Sequence, residues 1–182
     1  MSADPTILVV MGVSGAGKST IGQPLARRLG WIFQEGDDLH PARNIDRMKA
    51  GIALTDADRR PWLEAIAMRI DALIAAGQSA VITCSALKRA YRDVLTRGRA
   101  QVRFVFLNGS VSTVEKRLAR RHGHFMPSSL LPSQIADLEA PVASERAIEI
   151  DIDQPVEAQV TEIIDAIQRP RQVDASTRVG GT

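Results

Sequence analysis

The sequence predicts an α/β fold, a five-stranded parallel sheet with helices on both faces. Three observations predict it. Five short apolar segments alternate with helical stretches along the chain. One of them, Ala80–Cys84, is short and apolar along its length, as a strand buried on both faces should be. A glycine-rich turn joins the first strand to the first helix. The chain has 182 residues, enough for one domain with a full core.

Ile7–Met11 is the first strand. The helix after the glycine-rich turn runs to about Leu29 and stops at Gly30, with a kink expected at Pro24, which lacks the N–H of one helical bond. Trp31–Glu35 is the second strand and ends in Gly36-Asp37-Asp38. His40 to Asp58 is largely polar and predicts no regular element. Asp58 reads as an N-cap with Pro61 in the first turn. Leu63, Ile66, Ile70, Leu73 and Ile74 then recur at helical spacing up to Gly77. Ala80–Cys84 is the third strand, Lys88–Arg97 a helix and Val102–Leu107 the fourth strand. Ser112-Thr-Val-Glu115 reads as a capping box that opens a helix to about Arg121. Gly123 to Pro132 breaks regular structure, Ser133–Leu138 is a short helix, and Ile148–Ile152 alternates as the fifth strand. Pro155 opens a last helix with Val156, Val160, Ile163, Ile164 and Ile167 on one face, and Pro170 closes it. Residues 1–169 thus form one domain, and 170–182, polar and without periodicity, read as a disordered tail.

Composition narrows the function only coarsely. The chain is 45% hydrophobic and 24% charged, as ordinary soluble proteins are. A net charge of +2 gives no argument for nucleic acid. Lys18, Lys49, Lys88 and Lys116 are its lysines, and the other basic residues are arginines. That bias suits an anion-handling enzyme, and genome composition explains it equally well. Cys84 is the single cysteine, so no intrachain disulfide forms. No apolar run reaches the ~18 residues of a membrane span. The first residues lack the charged and apolar regions of a signal peptide, so a cytoplasmic location is expected.

Gly12-Val13-Ser14-Gly15-Ala16-Gly17-Lys18-Ser19 fits G-x-x-x-x-G-K-[ST] between a strand and a helix. Such a loop turns its backbone N–H groups inward around phosphate oxygens. Lys18 reaches the β- and γ-phosphates, the Ser19 hydroxyl ligates Mg²⁺, and the helix opening at Ser19-Thr20 adds positive potential. The loop indicates a nucleotide and leaves the phosphate acceptor open. The guanine-reading Asn-Lys-x-Asp is absent from the sequence. A carboxylate at Asp37, at the end of the second strand, would face the γ-phosphate, hold a Mg²⁺-bound water or accept a proton from an attacking hydroxyl. The alternative for Asp37 is a helix cap. Arg117, Arg120, Arg121 and His124 fall at i, i+3, i+4 and i+7, one basic helix face running into a Gly-Pro segment at about 122–132 that would close as a lid. Such arginines stabilise the spreading charge of phosphoryl transfer, and a plain solvated basic face is the alternative.

The stretches GVSGAGKSTIG, EGDDLHPARNIDRMKAGIALTDADRRPWL, CSALKRAYRDVL, VRFVFLNGS and RRHGHFMPSSLLPSQIADLEAP resemble the gluconokinases, small P-loop sugar-acid kinases. The resemblance covers Ile7 to about Asp153 in order; the second and last stretches are specific to it, the glycine-rich loop is not. It implies a P-loop fold like that of nucleoside monophosphate and shikimate kinases, with a mobile lid. It implies a homodimer and transfer from Mg²⁺-bound ATP to the 6-hydroxyl of D-gluconate. Asp37 stands at the family's acidic position and becomes the expected base and Mg²⁺ partner. His40 and Asn44 belong to its LHPxxNI segment and would face the polyol. Arg47 would supply a cation, and Lys88 with Arg92, at i and i+4, would suit the carboxylate. Arg59 could serve substrate or structure, and Trp62 reads as core. Arg117 and Arg121 match the lid arginines, while His124 and Gln134 would touch substrate on closure. Cys84 reads as a small buried residue. Two alternatives stay open: another small-molecule kinase of this fold, and a nucleotide-dependent switch or binding module.

Overall fold

β1 (Ile7–Met11) forms the centre of the sheet, with all five residues buried. In the computed structural model, which describes residues 4–120 and 127–169, the sheet order is β2 (Ile32–Gln34), β3 (Ala80–Thr83), β1, β4 (Val102–Asn108) and β5 (Ile148–Asp151). Every pairing is parallel, as the alternation of strands and helices requires. Successive β1 side chains point to opposite faces and so into two cores. Leu8 and Val10 pack with Ile21 and Leu25 of α1 (Lys18–Leu29), Val114 and Leu118 of α5 (Val111–Ala119), and Val160 and Ile163 of α7 (Val156–Gln168). Ile7, Val9 and Met11 pack with Trp62, Leu63, Ile66 and Ile70 of α3 (Asp56–Ala75) and with Tyr91 and Leu95 of α4 (Arg89–Thr96). Each such side chain contributes about 1.5–3 kcal/mol on burial, so these two layers hold the strand ends in place.

Several element boundaries differ from the sequence reading, each for a local reason. The polar stretch contains a helix, α2 (Ala42–Lys49), whose inward side consists of only Asn44 and Met48. α3 begins earlier than expected, at Asp56. Thr55 is its N-cap and Asp58 its third residue: Asp58 N–H donates to Thr55 Oγ1 at 3.2 Å and Thr55 N–H donates to Asp58 Oδ2 at 2.9 Å. A hydroxyl three residues before an acid forms this reciprocal box, which Asp58 alone at the cap could not. α5 is likewise capped by Ser110, whose Oγ accepts from Thr113 N–H at 3.2 Å, rather than by Ser112, and it ends at Ala119. The short helix after the lid segment, α6 (Leu131–Asp137), starts two residues early with Pro132 in its first turn. α1 continues through Pro24 to Leu29. No helix among the described residues is long and apolar enough to cross a membrane. The expected tail 170–182 and residues 121–126 of the expected lid lie outside the described residues.

Candidate active site

Gly17 ends the glycine-rich loop and caps α1 with φ 100°, a left-handed conformation that side chains resist. This turn sets the loop over the carboxyl end of β1, where a parallel sheet presents its ligand crevice. Lys18 folds back over the loop, and its Nζ donates to Gly12 O and Val13 O, each at 3.1 Å. Ser14 N–H, inside the loop, donates to Gln134 Oε1 of α6 at 2.6 Å. The segment after the expected lid is therefore bonded directly to the phosphate loop.

Two carboxylates leave the end of β2 on either side of Gly36. Glu35 takes the side facing the loop. Its Oε2 accepts from Ser19 Oγ at 2.5 Å and its Oε1 accepts from Thr83 Oγ1. Asp37 and Glu35 line the same cavity, together with Ser19, His40, Arg59, Trp62 and Gln134. Gly36 is required between them. A Cβ there would stand 1.8 Å from the Thr83 carbonyl oxygen, while Gly36 N–H donates to Thr83 Oγ1 at 3.0 Å and Gly36 O accepts from Trp62 Nε1 at 2.8 Å. β2, β3 and α3 are thus locked together at the point where the carboxylates diverge.

The pairing of Glu35 with Ser19 was not read from the sequence. The residues are sixteen apart and no motif joins them; the only signal was an acid at a strand end beside the loop. The donor set fits a Mg²⁺ ion. A serine hydroxyl and a carboxylate at a phosphate loop leave the remaining positions to waters and phosphate oxygens, as Mg²⁺ prefers. Among the described residues no group of three or more His, Cys, Asp or Glu forms a protein-only cage.

His40 is buried and stacks on Trp62, with ring centroids 4.1 Å apart and planes 11° from parallel. Burial, and after it the Arg59 charge, push its pKa down to about 4, so the imidazole is neutral at pH 7. Its Nε2 lies 4.0 Å from Asp37 Oδ1, too far for a hydrogen bond. Asn44 does not line the cavity. It is fully buried behind His40, with Nδ2 donating to Asp58 O at 2.8 Å and lying 3.4 Å from His40 Nδ1. Its expected contact with the polyol is therefore replaced by orientation of the imidazole. Arg47 sits outside the cavity lining and pairs with Asp58, Nε to Oδ2 at 3.6 Å.

Lys88 and Arg92 separate although they share the i, i+4 spacing. Lys88 Nζ pairs with Asp56 Oδ1 at 2.8 Å and with Asp137 Oδ1 at 3.5 Å, and Lys88 is not in the cavity lining, contrary to the expected substrate contact. Hydrogen bonding to Asp56 raises its pKa. Arg92 is 1% exposed and does not reach the cavity. Its Nε and Nη2 grip Glu145 at 2.5 and 3.0 Å, and its Nη1 donates to the carbonyls of Ala86, Leu87 and Glu139. The expected carboxylate contact of Arg92 is thus corrected: internal acceptors take its guanidinium. Arg59 lines the cavity, as Lys18 does, and its Nη1 donates to Tyr91 Oη at 2.8 Å and Asp137 Oδ2 at 2.7 Å. Burial opposes its charge, but the hydrogen bonds to Asp137 and Tyr91 outweigh that and raise its pKa. Cys84 is buried, and burial pushes its thiol pKa up to about 12, which leaves it inert.

A second pocket opens on the other side of the loop. Gly15 and Gly17 line both pockets, and Arg117, Val156 and Gln159 complete the second. Arg117 spans it, with Nη1 donating to Ala16 O at 3.1 Å and Nη2 to Ile152 O at 2.5 Å. Thr20 lies on its wall. The expected lid residues Arg121 and His124 lie outside the described residues.

Known proteins share the sequence and fold of this chain. A family model described as an AAA domain matches residues 7–141. A gluconokinase of Gluconobacter oxydans is 48% identical over 164 residues, 90% of this chain and 92% of the relative. The crystal structure of a gluconokinase from Sinorhizobium meliloti is 47% identical, with a TM-score of 0.81 over 91% of this chain and 93% of that one. Shikimate kinase from Aquifex aeolicus, 17% identical with a TM-score of 0.56 over 89% of this chain and 96% of that one, shares the fold alone.

Proposed function

The chain belongs to the gluconokinase family, and from that premise we propose how it phosphorylates gluconate: the γ-phosphoryl group of ATP passes to the 6-hydroxyl of D-gluconate, giving 6-phospho-D-gluconate and ADP. The observation that carries this reading is the pair of carboxylates in one cavity at the β2 end, Glu35 bonded to Ser19 and Asp37 beside His40. One carboxylate serves the donor half and one the acceptor half. The loop Gly12–Ser19 and Thr20 hold the triphosphate. Ser19 and Glu35, with Asp37 lining the same cavity, would hold Mg²⁺, which when bound would neutralise charge on the phosphates. Asp37 orients the sugar hydroxyl and takes its proton. Neutral His40, held by Asn44 and Trp62, offers the polyol a hydrogen bond without adding charge. Arg59, which lines the cavity, would face the acceptor's carboxylate. Arg117, with Arg121 and His124 on the lid, and Gln134 would complete the site on closure. The same reading makes the protein a cytoplasmic homodimer with no nucleic-acid or membrane partner.

An acceptor panel tests the proposal. ADP release is measured by a coupled assay with gluconate, other aldonates, shikimate and nucleoside monophosphates. Release that depends on gluconate and yields 6-phosphogluconate is expected. Gluconate giving no more ADP than water would overturn the acceptor. Slow hydrolysis indifferent to every acceptor would point to a switch.

A further inference from the structure

Arg92 shows how this chain grips a carboxylate. Its Nε and Nη2, the two donors on one edge of the guanidinium plane, hold Glu145 at 2.5 and 3.0 Å, while Nη1 donates to backbone carbonyls. Such a paired edge fixes direction as well as strength. Arg59 is fastened in the same way, but from one side alone. Its Nη1 donates to Asp137 Oδ2 at 2.7 Å and to Tyr91 Oη at 2.8 Å, which uses both N–H groups of that nitrogen. Nε and Nη2 of Arg59 meet no protein oxygen among the described residues. Neither atom is buried without a partner, so that edge opens on the cavity that Arg59 lines.

The direction of the edge is set from α6. A long side chain leaving α3 has many rotamers to choose among, and the group at its tip decides which one is kept. Asp137 is held at both oxygens, because Oδ1 lies 3.5 Å from Lys88 Nζ while Oδ2 accepts from Arg59. Tyr91 Oη donates to Asp56 Oδ1 and so turns a lone pair toward Arg59. α6 is itself anchored one turn earlier, where Gln134 Oε1 accepts from Ser14 N–H at 2.6 Å. Residues three apart share a helix face, so one face of α6 touches both the phosphate loop and Arg59.

We propose that Asp137 is a positioning residue for the sugar acid. By holding Nη1 it presents the Nε–Nη2 edge of Arg59 to the substrate carboxylate, and so sets the preference for an acid over its neutral amide. The proposal rests on the reading of Arg59 as the cation facing that carboxylate and deepens it.

The test compares gluconate with gluconamide, which has the same chain and no charge. Steady-state kinetics give KM and kcat for gluconate, and competition gives the inhibition constant of gluconamide. Asp137→Ala should raise the gluconate KM at least ~10-fold, with kcat within about threefold of wild type, since a misplaced binding group costs that much. The gluconamide constant should move less than about twofold. Asp137→Asn should recover most of the loss, because its amide oxygen still accepts from Nη1 and only the charge is gone. Should Asp137→Ala fail to fold, Asp137→Ser, whose hydroxyl is too short to reach Nη1, takes its place. A gluconate KM within about twofold of wild type in the truncated variant, an equal loss on both ligands, or no recovery in Asp137→Asn overturns the proposal. Arg59→Met tests the reading beneath it: an unchanged preference for gluconate over gluconamide there removes Arg59 from the carboxylate.

Discussion

Glu35 and Asp37 are two residues apart and serve different partners. Both line one cavity, where Glu35 accepts from the Ser19 and Thr83 hydroxyls and Asp37 lies beside His40. The two acids should therefore fail differently. Asp37→Asn removes the proton acceptor, so kcat with gluconate should fall by ~10² or more with ATP affinity little changed. Glu35→Gln weakens the hold on Mg²⁺ through Ser19, so activity should fall and recover in part as Mg²⁺ is raised. Steady-state kinetics across a Mg²⁺ series check both. Near-normal turnover in Asp37→Asn would place the proton elsewhere, and a Mg²⁺ response identical to wild type in Glu35→Gln would remove Glu35 from the ion. The sequence showed Asp37 because a motif frames it. Glu35 was not legible, because its partner comes from a different element and only folding brings them together.

At the scale of elements, α4 shows how spacing can mislead. Lys88 precedes its first turn and Arg92 lies within it, at the i, i+4 distance that predicts a shared face. The segment from Glu139 to Glu145 packs across Arg92 and takes its donors, while Lys88 turns to Asp56. A periodicity argument sees the helix and not what covers it. Hydrogen bonding to Arg92 also holds the Glu145 carboxyl below its usual range. Arg92→Met leaves that carboxylate half-buried and unpaired, so unfolding free energy should drop by about 3–5 kcal/mol. Urea unfolding measures this, and the gluconate KM of the folded fraction should stay near wild type. A raised KM at unchanged stability would restore Arg92 as a substrate ligand. The strands and α3 were legible because their apolar periods are long. α2 was not, because Asn44 and Met48 alone turn inward and one of them is polar.

Across the whole molecule, the fold class was legible in the alternation of elements, and its parallel order follows from the crossovers. Its acid response was not legible, because that depends on burial. His40 has a native pKa of about 4 against an ordinary value of 6.5, from burial first and Arg59 second. In that window the unfolded chain binds a proton that the native protein refuses. Stability is therefore full above pH 6.5, falls as pH falls toward 4 and levels off below. Between pH 7 and 5 the loss from this residue should be about 2 kcal/mol. Urea unfolding at both pH values, for the wild type and His40→Gln, isolates it: the variant should lack that part of the slope. Equal slopes would mean that the native imidazole accepts its proton normally. The lowered carboxyls of Asp56, Asp71 and Glu145 act lower, as pH drops through the carboxylate range.

Gly36 leaves no room for even one added carbon against Thr83 O. The interval between Glu35 and Asp37 is consequently a single residue held without a side chain, a spacer made of backbone alone. α2 and α3 supply Met48, Arg59 and Trp62 to the cavity that Asp37 lines. Such a plan lets the walls around the acceptor be rebuilt for a different polyol while the span the phosphoryl group must cross stays constant.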